Sequence, residues 1–193
     1  MTAAAALPLL LMVGTSFLKI TVVLSLVRRG LGVVEVIPTS FIMAFALLLT
    51  LRVMAPVAGA SAAAAGPIAT TATTAELVEA ATRAAVPLAG FLKTHADPAE
   101  ITLFVELGGA PAESLLTLLP AFSITELTEA LWAGFLLLLP FLVLDLVVAT
   151  VMASVGLTAL PAATVALPFK LLLFVAVDGW SLLARGLILG YGG

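Results

Sequence analysis

The sequence contains no cysteine and a single histidine, His95, among its 193 residues. The absence of cysteine excludes disulfide frameworks, thiolate metal sites and cysteine nucleophiles. One histidine cannot build a multi-histidine metal site. Charged residues make up only 10 % of the chain, against about 25 % in soluble proteins. The net charge of −3 provides no basic surface for nucleic acid, so no nucleic-acid partner is expected.

Recognisable catalytic constellations are lacking as well. Enzyme chemistry requires an activated nucleophile, a positioned acid–base pair or a metal, and the sequence shows no nucleophile elbow and no glycine-rich phosphate loop. His95 lies in a polar stretch that is typical of a helix end, where a basic residue favours the helix dipole. We therefore expect a protein without catalytic activity, metal or cofactor.

Apolar residues are abundant instead. They form 63 % of the chain, and the mean hydropathy is +1.29. Between Ala130 and Phe169 the only ionisable residue is Asp145. A helix of that length is roughly 60 Å long, or two spans of a hydrocarbon core that is about 30 Å thick. The composition predicts a membrane-associated helical protein whose apolar surface is covered by lipid or by other subunits.

The predicted fold is all-α, with two long apolar helical hairpins that flank a smaller helical middle segment. Residues 1–57 form the N-terminal hairpin, whose second helix is expected to stop at Pro56. Residues 58–75 form an Ala/Thr-rich linker, and residues 76–119 form a more polar helical segment. Residues 120–193 form the C-terminal hairpin.

Several helix boundaries carry local signals. Thr73 with Glu76 and Ser123 with Glu126 match the capping-box spacing, and Asp97 precedes a proline at the first helical position. In the C-terminal hairpin, a glycine and two prolines favour a break between residues 156 and 168. The last helix is therefore predicted to run from about Pro168 to Leu189.

Membrane topology follows from the distribution of charge. The loop after the first helix carries Arg28 and Arg29, and the positive-inside rule places it in the cytoplasm. Residues 76–113 carry six acidic residues against Arg83 and Lys93, so this middle segment is expected on the periplasmic side. The first apolar stretch lacks the positive n-region of a signal peptide and is expected to be retained.

Seven charged residues are embedded in apolar sequence: Lys19, Arg52, Glu126, Asp145, Lys170, Asp178 and Arg185. Each costs about 2.5–3.5 kcal/mol at membrane depth unless a partner or water offsets it. Pairing is the simplest explanation, and Lys19 and Lys170 are the candidate counter-ions of Asp145. The alternatives are a capping role for Glu126, snorkelling of Lys170, and a neutral, hydrogen-bonded Asp145.

Several stretches resemble one family, the FliP/SctR proteins of the type III secretion export apparatus. They are GTSFLKITVVLSLVRRGLG from Gly14, LLTLRVMAP from Leu48, FLKTH from Phe91, LPAFSITELTEALWAGFLLLLPFLVLDLVVATVMASVG from Leu119 and LPFKLLLFVAVDGWSLL from Leu167. Direct entry into the first helix looks more like the virulence-type SctR branch than like flagellar FliP.

The resemblance implies a subunit of the export gate in the inner membrane of a Gram-negative bacterium, within the base of the secretion system. In that family five copies are thought to assemble with SctS-like and SctT-like subunits into a helical cone through which unfolded substrate proteins pass. SctU-like and SctV-like components and the inner rod and needle subunits are the further partners that it implies.

The resemblance also assigns roles to particular residues. Glu126 and Lys170 match family positions of a structural salt bridge, and Asp145 matches a functionally sensitive acid. Residues 157–159 match a loop that, in many relatives, carries consecutive methionines that seal the pore. Here that loop reads Leu157, Thr158 and Ala159, so the flexible thioether ring is missing.

The sequence therefore predicts a structural and gating subunit of a protein-export channel that works by a steric, apolar constriction. One alternative is a small-solute secondary transporter in which Asp145 and Lys19 relay a proton or an ion. A membrane-embedded enzyme is a second alternative, for which the composition supplies no catalytic set.

Overall fold

A computed structural model describes residues 12–67, 73–157 and 160–192. Over these residues all regular secondary structure is helical, with no strand, and this confirms the predicted all-α class. The helices are α1 (Phe17–Leu31), α2 (Thr39–Ala65), α3 (Thr74–His95), α4 (Pro98–Gly108), α5 (Leu115–Ser154), α6 (Ala162–Ala176) and α7 (Gly179–Leu189).

The two middle helices begin where their caps predict. The Thr73 hydroxyl accepts a hydrogen bond from the Glu76 amide at 3.4 Å, and the Glu76 carboxylate accepts one from the Thr73 amide at 2.7 Å. Asp97 caps α4 by accepting from the Ala99 amide at 2.8 Å. Gly109 then ends α4 in the left-handed conformation, which glycine adopts without steric cost.

The predicted stop of α2 at Pro56 is wrong, because the helix continues to Ala65. A proline inside a helix removes one hydrogen bond and kinks the axis, but it does not require the helix to end. The alanines that follow have the highest helix propensity of all residues and support the continuation. The first part of the expected linker is therefore helical, and residues 68–72 of that linker lie outside the described residues.

The predicted start of α5 at Ser123 is also wrong. The helix begins at Leu115, where the Ser114 hydroxyl accepts from the Leu116 amide at 3.3 Å. The Ser123 hydroxyl donates to the Leu119 carbonyl one turn earlier, at 2.6 Å, so Ser123 is an interior residue and not a cap. One continuous helix of 40 residues therefore joins the polar middle segment to the C-terminal hairpin.

The C-terminal segment forms two helices where one was predicted. α6 begins before Pro168, and its axis and that of α7 differ by 59°. Asp178 lies at the break with a φ of 51°, a left-handed conformation that is unfavourable for any residue with a side chain. A Cβ on Gly179 would lie 2.3 Å from the Phe174 ring. Glycine at 179 thus permits the close approach that fixes the bend.

The chain divides into two compact units, each with its own core. The first contains Thr50–Thr128 together with the residues up to Leu18, and the second contains Lys19–Leu49 and Glu129–Gly193. The core of the first unit is formed by α3 and α5: Leu92, Ala96, Leu118, Ala121 and Phe122. The Asp97 amide donates to the Thr125 hydroxyl at 2.9 Å and so ties the α3–α4 connection to α5.

The second unit depends on close helix contacts and on aromatic rings. A Cβ on Gly30 would lie 2.2 Å from the Leu138 side chain, and one on Gly134 would lie 2.3 Å from Leu26, so α1 and α5 approach each other at two glycines. The Trp180 ring on α7 makes edge contacts with Phe41, Phe45 and Phe174, whose centroids lie 5.2–6.1 Å away. The rings connect α2, α6 and α7.

Within the described ranges, two helices are long and apolar enough to cross a membrane. They are α2, with a mean hydropathy of 2.1 in its most apolar stretch, and α5, with 2.6. In those stretches only 22 % and 11 % of the residues are buried within the chain. The bent pair of α6 and α7 passes the same test if it is taken as one span. Most of this apolar surface requires cover from outside the chain.

Candidate functional site: buried charges in the apolar helices

Lys170 on α6 forms the most buried ion pair of the second unit. Its ammonium lies 2.6 Å from Asp145 Oδ2 on α5 and donates to the Gly30 carbonyl at 3.0 Å. The side chain of Lys170 is 6 % exposed and that of Asp145 is 32 % exposed. Gly30 is in the last turn of α1, whose carbonyls lack partners within the helix, so a cation there also offsets the helix dipole.

This contact uses only one of the two carboxylate oxygens of Asp145 as a hydrogen-bond acceptor. Its second oxygen, Oδ1, is buried and has no hydrogen-bond partner among the described residues. A buried acceptor without a donor costs about 1–3 kcal/mol. The pair therefore joins three helices but leaves one carboxylate oxygen available to a further donor.

Lys19 has a different neighbour from the one that the sequence indicated. Its ammonium lies 2.6 Å from Glu129 Oε2 and 4.5 Å from the centre of the Tyr191 ring. Lys19 is nearly buried, whereas the Glu129 side chain is 57 % exposed. Sequence reasoning did not single out Glu129 or Tyr191, because neither stands near Lys19 in the chain and only the packing of α1, α5 and the C-terminus brings them together.

Glu126 is fully buried on α5, in the first unit. The capping role considered for it is excluded, because Ser123 lies inside the helix. Lys170 belongs to the second unit and binds Asp145. The pairing of Glu126 with Lys170 stays a prediction.

Of the candidate pore constriction, the structure describes Leu157. Leu157 follows α5 and is 56 % exposed, directly after Gly156 with a φ of 73°. Thr158 and Ala159 lie outside the described residues. The constriction therefore stays a prediction, with one apolar, exposed side chain at its first position.

Arg28 and Arg29 lie in the last turn of α1 and not, as the sequence had predicted, in the loop after it, and they differ in their surroundings. Arg28 donates to the Thr39 hydroxyl at 2.9 Å and to the Val34 carbonyl, and these bonds hold the loop between α1 and α2. Arg29 is exposed.

The polar middle segment carries ordinary surface pairs. The Lys93 ammonium lies 2.9 Å from the Glu113 carboxylate, and this hydrogen bond lowers the pKa of Glu113 below its usual 4.5. Hydrogen bonds from the Thr73 amide and hydroxyl lower the pKa of Glu76 in the same way. His95 ends α3 as predicted, and its Nδ1 lies 2.9 Å from the Phe91 carbonyl.

Metal-binding geometry is absent from residues 12–67, 73–157 and 160–192, where no three histidine or carboxylate side chains converge. The charges described above form pairs between helices and do not form a nucleophile with an adjacent base. Chemically, this arrangement can fix how the helices pack against one another.

Comparison with known proteins connects this arrangement to one family. A sequence model of the FliP family matches residues 1–187. The chain is 39 % identical to the Yop proteins translocation protein R of Yersinia pestis, over 97 % of this chain and 91 % of that protein. It is 39 % identical to the hypersensitivity response secretion protein HrcR of Ralstonia nicotianae, over 98 % and 93 % of the two chains. It is also 42 % identical to the flagellar biosynthetic protein FliP of Caulobacter vibrioides, over 97 % and 73 %.

Proposed function

Because the chain belongs to the FliP family, we propose that it is a core structural and gating subunit of the export apparatus of a type III protein secretion system. The match over residues 1–187 carries the proposal, since it includes every embedded charge from Lys19 to Arg185. Similarity to translocation protein R and to HrcR, over nearly the whole of both chains, supports a virulence-type system.

The proposed location is the bacterial inner membrane, with several helices that cross it or pack at its level. The apolar stretches of α2 and α5, which bury few residues within the chain, support this location. The middle segment, α3 and α4, lies on the periplasmic side in this proposal, and the end of α1 with Arg28 and Arg29 lies on the cytoplasmic side.

Orientation has a direct test, because the chain contains no cysteine of its own. Glu106→Cys and Arg29→Cys each introduce one thiol at an exposed position, on α4 and at the end of α1. A membrane-impermeant maleimide added to spheroplasts is expected to label Glu106→Cys at once and Arg29→Cys only after lysis. The reverse pattern would overturn the proposed orientation.

The proposed mechanism is steric, and the protein has no catalytic activity of its own. Five copies assemble with SctS-like and SctT-like subunits around a channel for unfolded proteins, next to SctU-like and SctV-like components and the inner rod. The channel is closed by an apolar constriction that includes Leu157, Thr158 and Ala159. The exposed apolar face of α5 supports extensive subunit contacts, because side chains such as Trp132 and Leu146 are 64 % and 68 % exposed in the single chain.

In this mechanism the charge pairs fix the positions of the helices relative to one another. Lys170 fixes α6 against α5 and α1 through Asp145 and the Gly30 carbonyl, and Glu126 with Lys170 provides a second pairing in the assembled gate. A buried pair stabilises little compared with apolar packing, but it disfavours helix registers that leave a charge alone.

Assembly is the first test of the proposed function. The chain is co-expressed with the SctS-like and SctT-like subunits of its own secretion system, extracted in mild detergent and weighed by native mass spectrometry. We expect a hetero-oligomer with five copies of this chain. A monomer or dimer that transports small solutes in liposomes would contradict the export gate and support a transporter instead.

Secretion by a deletion strain that is complemented with variants provides the second test. Asp145→Lys and Lys170→Asp are each expected to abolish secretion, and the double exchange is expected to restore at least assembly. Arg185→Asp, at an exposed position on α7, is the control for a charge change alone. Normal secretion with Lys170→Ala would show that the pairing has no role.

A further inference from the structure

A cavity of about 590 Å³ lies beside the Lys170–Asp145 pair, within the second unit. Small-molecule sites have volumes of about 300–1,000 Å³, so the cavity is large enough for a ligand. Its walls come from the end of α1, the middle of α5 and the start of α6, namely Leu26, Arg29, Gly30, Gly32, Leu138, Phe141, Leu142, Asp145, Ala163, Thr164, Leu167 and Lys170.

The charges that line this cavity sum to one positive charge. Lys170 and Asp145 neutralise each other at 2.6 Å, and Arg29 is left over. The Arg29 guanidinium forms no salt bridge or hydrogen bond with the residues that the structure describes, although the Arg29 carbonyl accepts from the Gly32 amide at 3.0 Å. Lys170 uses two of its three ammonium hydrogens, on Asp145 and on the Gly30 carbonyl. A monoanion would complement this lining, because it pairs with Arg29 without disturbing the existing ion pair.

The remaining wall of the cavity is mostly apolar, with Thr164 as its one hydroxyl side chain. Leu26, Leu138 and Leu142 line it next to the charged group, and Leu142 is 52 % exposed. A small soluble anion would neutralise Arg29 but leave these leucines in contact with water. A ligand with a charged head and a hydrocarbon chain covers both parts of the wall, and this complementarity favours a lipid.

Arg29 also stands where anionic lipids are found. It lies in the last turn of α1, an end that the proposed orientation places on the cytoplasmic side, and that leaflet carries the anionic lipids. We propose that this cavity binds one anionic phospholipid, with the phosphate against the Arg29 guanidinium and an acyl chain along Leu138 and Leu142. The proposal requires that these helices reach a bilayer with Arg29 on its cytoplasmic side, and it does not require the secretion function.

Native mass spectrometry of the full chain in mild detergent tests the site. The probes are dioleoyl phosphatidylglycerol, dioleoyl phosphatidylcholine with the same chains, and glycerol 3-phosphate. We expect one tightly retained phosphatidylglycerol per chain and weaker retention of phosphatidylcholine. Arg29→Gln is expected to lower phosphatidylglycerol retention about five-fold, as the loss of one basic residue near a membrane surface does.

Two further variants separate charge from shape. Arg185→Gln removes one exposed positive charge from α7, outside the cavity lining, and is expected to leave retention unchanged. Ala163→Trp places a large side chain at the exposed cavity wall without a change of charge and is expected to reduce retention as strongly as Arg29→Gln. Both variants are first compared with the unsubstituted protein by circular dichroism.

Each of the following outcomes would contradict the binding of a phospholipid at this cavity. Equal retention of phosphatidylglycerol by Arg29→Gln and by the unsubstituted protein would remove the proposed phosphate contact. Full retention by Ala163→Trp would show that the lipid binds elsewhere. Displacement of phosphatidylglycerol by an equal concentration of glycerol 3-phosphate would show a phosphate site that makes no use of the acyl chain.

Discussion

Lys170 is held by partners on two other helices. It is buried on α6 and binds both the Asp145 carboxylate and a carbonyl at the end of α1. Because the two partners lie 25 and 140 residues away in sequence, one side chain ties together segments from both ends of the second unit.

Removing Lys170 alone should therefore lower the free energy of unfolding more than removing Lys170 and Asp145 together. Lys170→Met leaves a largely buried Asp145 without its cation, and we expect a loss of about 3 kcal/mol, the lower end of the range for buried pairs, since Asp145 is 32 % exposed. Asp145→Leu with Lys170→Met is expected to recover most of that loss, because apolar residues of similar volume replace buried pairs well.

The measurement is the unfolding free energy of the four proteins of this double-mutant cycle, in the same detergent. Arg185→Met, an exposed cation on α7, is the control and is expected to change stability by less than about 0.5 kcal/mol. Equal stability of Lys170→Met and the unsubstituted protein would contradict the structural role.

Glu113 gives the middle segment a dependence on pH. The hydrogen bond from Lys93 lowers the pKa of Glu113 below 4.5, so the contact stabilises the folded state fully above that value. As the pH falls through the lowered pKa, Glu113 takes up a proton and the stabilisation is lost.

A titration of the Glu113 carboxyl carbon by nuclear magnetic resonance measures this effect. Lys93→Gln is expected to move the pKa of Glu113 back towards 4.5, because the hydrogen bond and the positive charge are both removed. Arg83→Gln removes a cation that pairs with Glu79 instead and is expected to leave the Glu113 titration unchanged. A pKa of Glu113 at or above 4.5 in the unsubstituted protein would refute the contact.

At the scale of the helices, the break between α6 and α7 depends on two adjacent residues. Asp178 has a positive φ, and Gly179 lies against the Phe174 ring. The 59° change of axis lets Trp180 reach the aromatic rings of α2.

Gly179→Ala should disturb this break. The new Cβ would lie 2.3–2.6 Å from the Phe174 ring, and overpacking of this kind typically costs about 1–3 kcal/mol. Gly186→Ala is the matched control on the same helix, where nothing lies within 4 Å of the added Cβ. It is expected to raise stability, because alanine is a better helix former than glycine by about 1 kcal/mol. Thermal unfolding in detergent compares the two, and equal melting temperatures would contradict the close packing.

At the scale of the whole molecule, apolar surface is exposed on two different kinds of helix. On α5 it continues along a helix without charge apart from Asp145 after residue 129, whereas on α4 it alternates with acidic residues. Leu146 and Leu107 represent the two kinds, with 68 % and 72 % exposure. The first kind requires lipid or neighbouring subunits, and the second tolerates water.

The same substitution at the two leucines should therefore have different effects. Leu146→Asp places a charge on the apolar face of α5, at a cost of about 2.5–3.5 kcal/mol at membrane depth, and is expected to reduce the membrane-assembled fraction strongly. Leu107→Asp is expected to assemble normally. Membrane fractionation followed by native gels distinguishes them, and normal assembly of Leu146→Asp would refute the need for an apolar cover.

Features that depend on neighbouring residues and on bulk composition were predictable from the amino-acid sequence. The capping box of Thr73 and Glu76 and the cap at Asp97 were predictable, because each is made of groups within three residues. The all-helical class and the need for external cover followed from 63 % apolar residues with only 10 % charged ones. Long stretches that resemble the FliP/SctR proteins identified the family.

Features that depend on contacts between distant segments became known from the three-dimensional structure. It continued α2 beyond Pro56 although an interior proline costs about 3 kcal/mol, because the alanines that follow favour the helix. It also divided the last helix at Asp178, where the Phe174 ring leaves no room for a side chain at the next position. The partners of Lys170 and Lys19 could not be ranked from the sequence, since an ion pair between helices depends on how those helices pack and not on their spacing along the chain.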